Sequence, residues 1–376
     1  MREGGLVELQ LLKLKVELLC LGVKLPPESD KGRRFGAGPA GGQYIILPGG
    51  SCVNAATWPH YASKSRWVMQ LTPRGLYLKS GSMEVPAEIV PKPRFYSKKT
   101  SDGIPMWKVA RLHGVDCLAT TVLQSCWYWR QGLQCKFCGI ELSLRHGHTI
   151  LHKKPRQLAE VVQAALEEGI CSHVTLTTGT PASGDMGAGI LAEALQAVKS
   201  VDDIPVHVQL EPPSDLRHLD KLMEAETIGV HVETMDPEVF ARICPGKARR
   251  GYEPYYKAWI YCVDNWGRGQ VSTFLIAGLG EQPRSLVESS KKLAELGVIP
   301  YIVPLRPIEE TPMQHAKPPS PEELTKVYIK AARALLEEGL DPLSSKAGCV
   351  RCGACSALSD AFKLIKSRSL KAMLSL

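Results

Sequence analysis

The spacing of apolar positions changes along the chain, and the changes divide it into three parts. From Met1 to Lys24 the apolar residues include Leu9, Leu11, Leu12, Leu14, Leu18 and Leu19. That pattern predicts an amphipathic helix or a helix–strand piece, with a frayed end over Met1–Gly5. Pro26 to Gly42 is rich in Pro, Gly and charge, so it reads as a flexible loop. From Gln43 to Val109 the apolar runs are short: Tyr44–Leu47, Trp67–Leu71, Leu76–Leu78 and Glu84–Val90. Turn-forming Pro48-Gly49-Gly50, Pro73-Arg74-Gly75 and Lys79-Ser80-Gly81 separate them, which predicts strands and tight turns. Cys52 and Asn54 are expected in the first loop of this part.

From Leu112 the pattern alternates between buried strand and amphipathic helix. Strands are predicted at Val115–Val122, His173–Thr178, Val206–Leu210, Thr227–Val232, Gln270–Ile276 and Val298–Val303. Helices are predicted between them at Pro155–Glu168, Ile190–Val198, Leu216–Ala225, Tyr255–Trp266 and Arg284–Leu296. Regular alternation implies a parallel sheet. An open doubly wound sheet would want a Gly-x-Gly-x-x-Gly turn after its first strand, and none is there. The expected class is therefore α/β, a partial (β/α)6 TIM-type barrel, six units being too few for a closed eight-stranded one. A β-rich N-terminal extension (1–110) precedes the barrel (111–318). A C-terminal helix, capped by Ser320 and ended by Gly339, then leads into a cysteine-rich tail (319–376).

Composition adds limits. The 376 residues are 44% hydrophobic, enough for a sizeable core, and the formal charge of +8 suits an acidic partner or an anionic substrate. No run is long enough to span a membrane, no secretory signal is evident, and no aromatic-interleaved basic stripe points to nucleic acid. Half of the twelve cysteines fall into two tight triplets. That suits metal binding in a reducing cytoplasm better than disulfides.

The first triplet is Cys126, Cys135 and Cys138, just after the first predicted barrel strand. Thiolates are the ligands iron–sulfur clusters prefer, and three of them leave one iron of a cube open. Zinc or a redox pair is the plainer alternative, with His146 or His148 as a fourth zinc ligand. A three-cysteine loop in this place, with Phe137 before the last cysteine, resembles the radical S-adenosylmethionine (SAM) superfamily. The spacing Cys-x8-Cys-x2-Cys is longer than that family's usual Cys-x3-Cys-x2-Cys. Further motifs follow in the family's order. Thr178-Gly179-Thr180 stands where a Gly-Gly-Glu turn receives the methionyl amine through backbone carbonyls. Phe274-Leu-Ile276-Ala-Gly278-Leu-Gly-Glu281 resembles the adenine-supporting Gly-x-Ile-x-Gly-x-x-Glu, with Phe274 in the first glycine's place. Glu310-Thr311-Pro312 resembles a Gly-Thr-Pro ending.

The resemblance implies a [4Fe–4S] cluster on Cys126, Cys135 and Cys138, with SAM at the open iron. Glu211 and Glu233, at the ends of the third and fourth strands, are candidates for the SAM ribose or ammonium; a surface carboxylate is the alternative. Ile276 and Gly278 would support adenine. Arg306 could clamp a carboxylate as a bidentate fork, with Arg249 and Arg250 as further candidates for a SAM or substrate carboxylate and surface solvation expected for at least one of the three. The second triplet, Cys349, Cys352 and Cys355, has the spacing that opens a ferredoxin ligand run, though no Cys-Pro follows. It implies an auxiliary [4Fe–4S] cluster, with zinc again the alternative. Cys20, Cys117, Cys171, Cys244 and Cys262 are expected as core residues.

The stretch from about Leu112 to Ser356 is most similar to the biotin synthase and lipoyl synthase branch, including a subfamily found beside nitrilase genes. The implied activity is hydrogen abstraction by a 5′-deoxyadenosyl radical followed by sulfur insertion, the auxiliary cluster serving as donor. The alternative is modification of a small metabolite, with that cluster as electron relay or substrate anchor. A non-catalytic electron carrier is the reading from another class. Implied partners are a reductant such as ferredoxin or flavodoxin, and an acyl or lipoyl carrier protein or a second radical SAM subunit. Nucleic acid and membrane are not expected.

Overall fold

Six parallel strands follow one another across the central sheet in their order along the chain. The computed structural model describes residues 3–26, 29 and 41–373. Most of the loop expected over Pro26–Gly42, and the first two residues of the chain, lie outside the described residues.

The extension begins with a helix over Glu3–Leu21. Strands β1 (Gln43–Ile46), β2 (Cys52–Ala55) and β6 (Glu88–Ile89) form one small antiparallel sheet. Strands β3 (Val68–Thr72), β4 (Gly75–Ser80) and β5 (Met83–Pro86) form another. Cys52 and Asn54 are therefore not in a loop: all four residues of β2 are buried, and Asn54 pairs with Tyr44.

The central sheet has seven strands. They are β7 (Arg111–His113), β8 (Cys117–Thr121), β9 (His173–Thr177), β10 (Val206–Leu210), β11 (Thr227–Val230), β12 (Val271–Ala277) and β13 (Val298–Pro304). β8 to β13 are parallel, and β7 pairs antiparallel with β8 at the edge. β13 does not return to β8, so the curled sheet is a partial barrel. The strand expected over Val115–Val122 is β8, but it starts two residues later, after the turn of a hairpin with β7. Val115 is 44% exposed at its turn, and β8 starts at Cys117. The parallel strands were legible because both of their faces are buried, which leaves them continuously apolar.

Helices Pro155–Glu167, Ala188–Lys199, Glu253–Trp266 and Pro283–Glu295 join successive strands. The segment expected as a helix over Leu216–Ala225 is a 3₁₀ helix, Leu216–Leu222, capped by Asp215. Pro321–Glu337 is helical, with the Ser320 hydroxyl accepting from the Glu323 amide.

The chain after this helix folds back under the barrel. The short helix Gly348–Cys352 lies at the amino ends of the strands, where the Gly348 amide donates to His173 Nδ1 over 3.1 Å. A Cβ on Gly348 would lie 2.4 Å from the His207 ring, so only glycine allows this approach. The extension packs on the same segment. Buried Lys15 donates to the Gly353 carbonyl (3.0 Å) and to Asp360 (2.6 Å), and the Asn54 amide donates to the Ala354 carbonyl (2.7 Å).

Candidate active site

The first thiol triplet follows the carboxyl end of β8, where barrel folds place their chemistry. Cys126 caps a short helix, Trp127–Arg130, whose first amide donates to the Thr180 carbonyl over 2.7 Å. The Gly179 amide donates back to Leu123. A Cβ on Gly179 would stand 2.1 Å from the Ser125 carbonyl oxygen. The Thr178-Gly179-Thr180 turn is thus packed directly on the cysteine loop, and glycine is required there. Gly246 plays a similar part beneath the Tyr128 ring, 2.4 Å from where its Cβ would be.

The second triplet lies at the other end of the strands. Cys352 sits under Gly114, at the β7–β8 turn, with its Sγ 2.6 Å from where a Cβ would be. Gln209 donates its Nε2–H to Cys349 Sγ (3.5 Å), and Asn54 donates its Nδ2–H to Cys355 Sγ (3.6 Å).

All six cysteines line one cavity of about 300 Å³ that runs through the barrel. None is in a disulfide. Among the described residues no three His, Cys, Asp or Glu side chains are gathered round one point as a lone zinc ion requires. His146 is committed to Glu310 at 2.7 Å. Burial raises the thiols of Cys138 and Cys349, each to about 12, so loading with metal must be accompanied by proton release. Three thiols at each end, two of the second set facing amide donors, fit thiolate-held iron–sulfur clusters.

The polar groups between the triplets form two knots. Glu211 accepts from Thr180 Oγ1 (2.9 Å) and from the Tyr128 hydroxyl (3.2 Å), and faces Arg250 at 3.6 Å. Glu233 accepts from Lys247 Nζ at 2.8 Å, and the same ammonium donates to the His231 carbonyl. Burial disfavours the Lys247 charge, but the carboxylates of Glu233 and Glu211 together with the neighbouring Tyr255 and Cys135 outweigh it and hold the ammonium well above its ordinary pKa. Glu233 is strained, with a φ of 73°. Its amide and carbonyl still bond Phe274 and Ile276 on β12, which fixes it at the cavity wall.

Residues 132–294 match the model of the radical SAM superfamily. The chain contains a radical SAM domain. The match takes in Cys135 and Cys138 and begins after Cys126. No curated protein sequence matches the chain. Among solved structures it is similar to methylornithine synthase (PylB), at 16% identity over 66% of this chain and 70% of that one, with a TM-score of 0.46. It is also similar to a radical SAM methyltransferase from Sphaerobacter thermophilus (13% identity, 73% and 75% covered, TM-score 0.44). A third is the FeFe-hydrogenase maturase HydG from Carboxydothermus hydrogenoformans (18%, 60% and 52%, 0.43). None of these three is a biotin or lipoyl synthase.

The radical SAM domain brings most of the expected residues together. Phe137, Thr178, Gly179, Thr180, Glu211, Glu233, Ile276 and Arg306 line the cavity with both triplets. Three expected residues do not line it. Arg249 is exposed at the surface, Gly278 is set back behind β12, its amide donating to Glu281, and Arg250 is paired with Glu211. Arg306 reaches the cavity but is not an open clamp. Its guanidinium donates to the carbonyls of Gly41 (2.6 Å) and Asn54 (2.7 Å), which ties β13 to the extension. Sequence reading passed over Lys247, Gln209 and His231; Cys117 and Cys244 are buried in the core as expected. Cys117 also lines the cavity, and Cys244 lies beside Cys135. Lys247 lies in a four-residue helix, Pro245–Ala248, and the pattern of its neighbours does not mark it as buried.

No described helix is long and apolar enough to cross a membrane.

Proposed function

We propose that this radical SAM enzyme abstracts hydrogen from an unactivated C–H bond of a substrate held between two iron–sulfur clusters, and that sulfur insertion completes the reaction. The observation that carries this reading is that both cysteine triplets line the same cavity. Whatever the second triplet holds is then exposed to the substrate, which favours a donor or an anchor over a remote electron relay.

Cys126, Cys135 and Cys138 would hold the first cluster, and Cys349, Cys352 and Cys355 the second. When bound, the first supplies the electron that splits SAM into methionine and a 5′-deoxyadenosyl radical, and the second supplies sulfur. The chain's own residues provide position and exclusion. The Thr178–Thr180 turn sets backbone carbonyls beside Cys126. Ile276 offers a buried apolar edge to an adenine. Glu211 and Glu233 are ion-paired with Arg250 and Lys247, which fixes each carboxylate where it can orient hydroxyl or ammonium groups. Phe274, stacked on His231 at 4.1 Å between ring centroids, and Tyr301 wall the middle of the cavity and keep water from a reactive radical.

The test is anaerobic incubation of reconstituted protein with SAM and dithionite. Formation of 5′-deoxyadenosine supports the radical step, and its absence removes it. Sulfur gained by the product, traced with ³⁴S-labelled cluster sulfide, supports insertion. Product formed without label removes insertion and leaves the radical step standing.

A further inference from the structure

The cations around the cavity do not all have partners. Lys247 and Arg250 are taken by Glu233 and Glu211, and Arg306 is held by carbonyls of the extension. Arg111 is different. It lies in β7, lines the cavity, and makes no ion pair with any described residue. Its Nε–H donates to the Trp107 carbonyl at 3.1 Å, and its guanidinium stacks over the Trp107 ring at 4.9 Å. Those two contacts fix the plane of the group and leave the paired Nη donors uncommitted. Burial works against the charge and lowers the Arg111 pKa. A half-buried guanidinium with no carboxylate beside it among the described residues is costly in the empty chain, and an anion in the cavity would offset that cost. Lys108, also on the cavity wall, places a second positive charge 5.3 Å from the centroid of the same Trp107 ring.

The height of Arg111 is informative. Its partner across the hairpin is Ala119, the middle residue of β8. Cys126 follows the carboxyl end of β8, and Cys352 lies under Gly114 just before its amino end. A group bound by Arg111 therefore enters between the two triplets, from the sheet edge.

We propose that Arg111 is the substrate-anchoring residue, and that the substrate carries an oxyanion, a carboxylate or a phosphate, which it grips through both Nη donors. This rests on the two-triplet cavity as the substrate chamber and names the class of molecule that enters it. It favours a free small acid over an acyl chain linked to a carrier protein, because the latter offers Arg111 only a neutral carbonyl.

The test is calorimetric binding of octanoate, octyl phosphate and octanamide to anaerobically reconstituted full-length protein. Wild type is expected to bind at least one of the two anions and to discriminate against the amide. Which anion binds decides between carboxylate and phosphate. Arg111→Gln is expected to weaken that anion by roughly tenfold or more, the effect of losing a charge-assisted pair. Arg111→Lys, which keeps the charge and loses the fork, should recover part of the affinity and guards against misfolding as the explanation. Failure of both anions to bind at millimolar concentration overturns the proposal. So does octanamide binding as tightly as octanoate, or Arg111→Gln binding the anion like wild type. Formation of 5′-deoxyadenosine by the same wild-type preparation, measured in parallel, shows whether the radical reading has failed or only the anchor.

Discussion

Asn54 donates its side-chain amide to the sulfur of Cys355 across 3.6 Å, although 301 positions separate them in the chain. Arg306 settles which way the amide faces, because one Nη donates to Asn54 Oδ1 and the other to the Asn54 carbonyl. Gln209 treats Cys349 in the same way from inside the barrel. The extension is thereby part of the second thiol site. An N–H donor to a ligating thiolate favours the more negative, reduced form of a cluster. Asn54→Leu should therefore lower the midpoint potential of the second cluster. A redox titration followed by EPR, in a Cys126→Ala/Cys135→Ala/Cys138→Ala background that leaves only the second site, would measure it. An unchanged potential at full iron loading would show that the contact has no electronic effect.

Two separate triplets make a stoichiometric prediction. Reconstituted wild type should carry about eight irons per chain, and each triple cysteine-to-alanine variant about four. The variant lacking Cys349, Cys352 and Cys355 should still convert SAM to 5′-deoxyadenosine, since the residues beside Cys126 are untouched. Four irons in wild type would leave the second triplet without a cluster. Zinc found in their place would replace the cluster reading at that site altogether.

Particular residues show what could be read from sequence alone. The parallel strands were legible to within a residue or two because burial on both faces erases any alternation. β2 was not, because Cys52–Ala55 is short, follows Gly49-Gly50, and contains a polar residue whose reason for being buried lies in the C-terminal segment. Arg306 was correctly placed at the end of a strand. Its partners at Gly41 and Asn54 are more than 250 positions away and left no mark nearby in sequence. Arg111 was overlooked for a different reason: its strand is three residues long, carries two polar residues, and ends before the apolar run at Val115–Val122 begins. Glu310, standing in for a glycine, adopts a φ of 67°, so the backbone keeps the glycine-like turn that the side chain alone obscures.

Lys247 and Glu233 form a buried pair, with side chains 8% and 12% exposed. Removing one member leaves the other charged and unpaired in a poorly hydrated site. Lys247→Met should destabilise the fold by about 3–5 kcal/mol, and the double change Lys247→Met/Glu233→Gln by clearly less. Urea denaturation of the three chains would show it. Equal losses for the single and double variants would mean that the pair contributes through packing alone.

Asp185 governs the turn behind Thr178–Thr180 and gives a pH dependence whose sign can be worked out. Burial pushes its carboxyl up, but the Ser183 hydroxyl and the amides of Gly189 (3.0 Å) and Gly187 (3.1 Å) donate to it and bring its pKa below the ordinary value. The folded pKa is thus lower than the unfolded one. The stabilisation is fully present above the unfolded value, near pH 4, and is lost as pH falls through the folded value. Because the carboxylate accepts from the Gly189 amide in the first turn of Ala188–Lys199, Asp185→Ala should cost about 1 kcal/mol at neutral pH. The gap in melting temperature between wild type and variant should close as the pH is lowered through 4 toward 2. A gap that stayed constant over that range would show that Asp185 acts through its shape, not its charge.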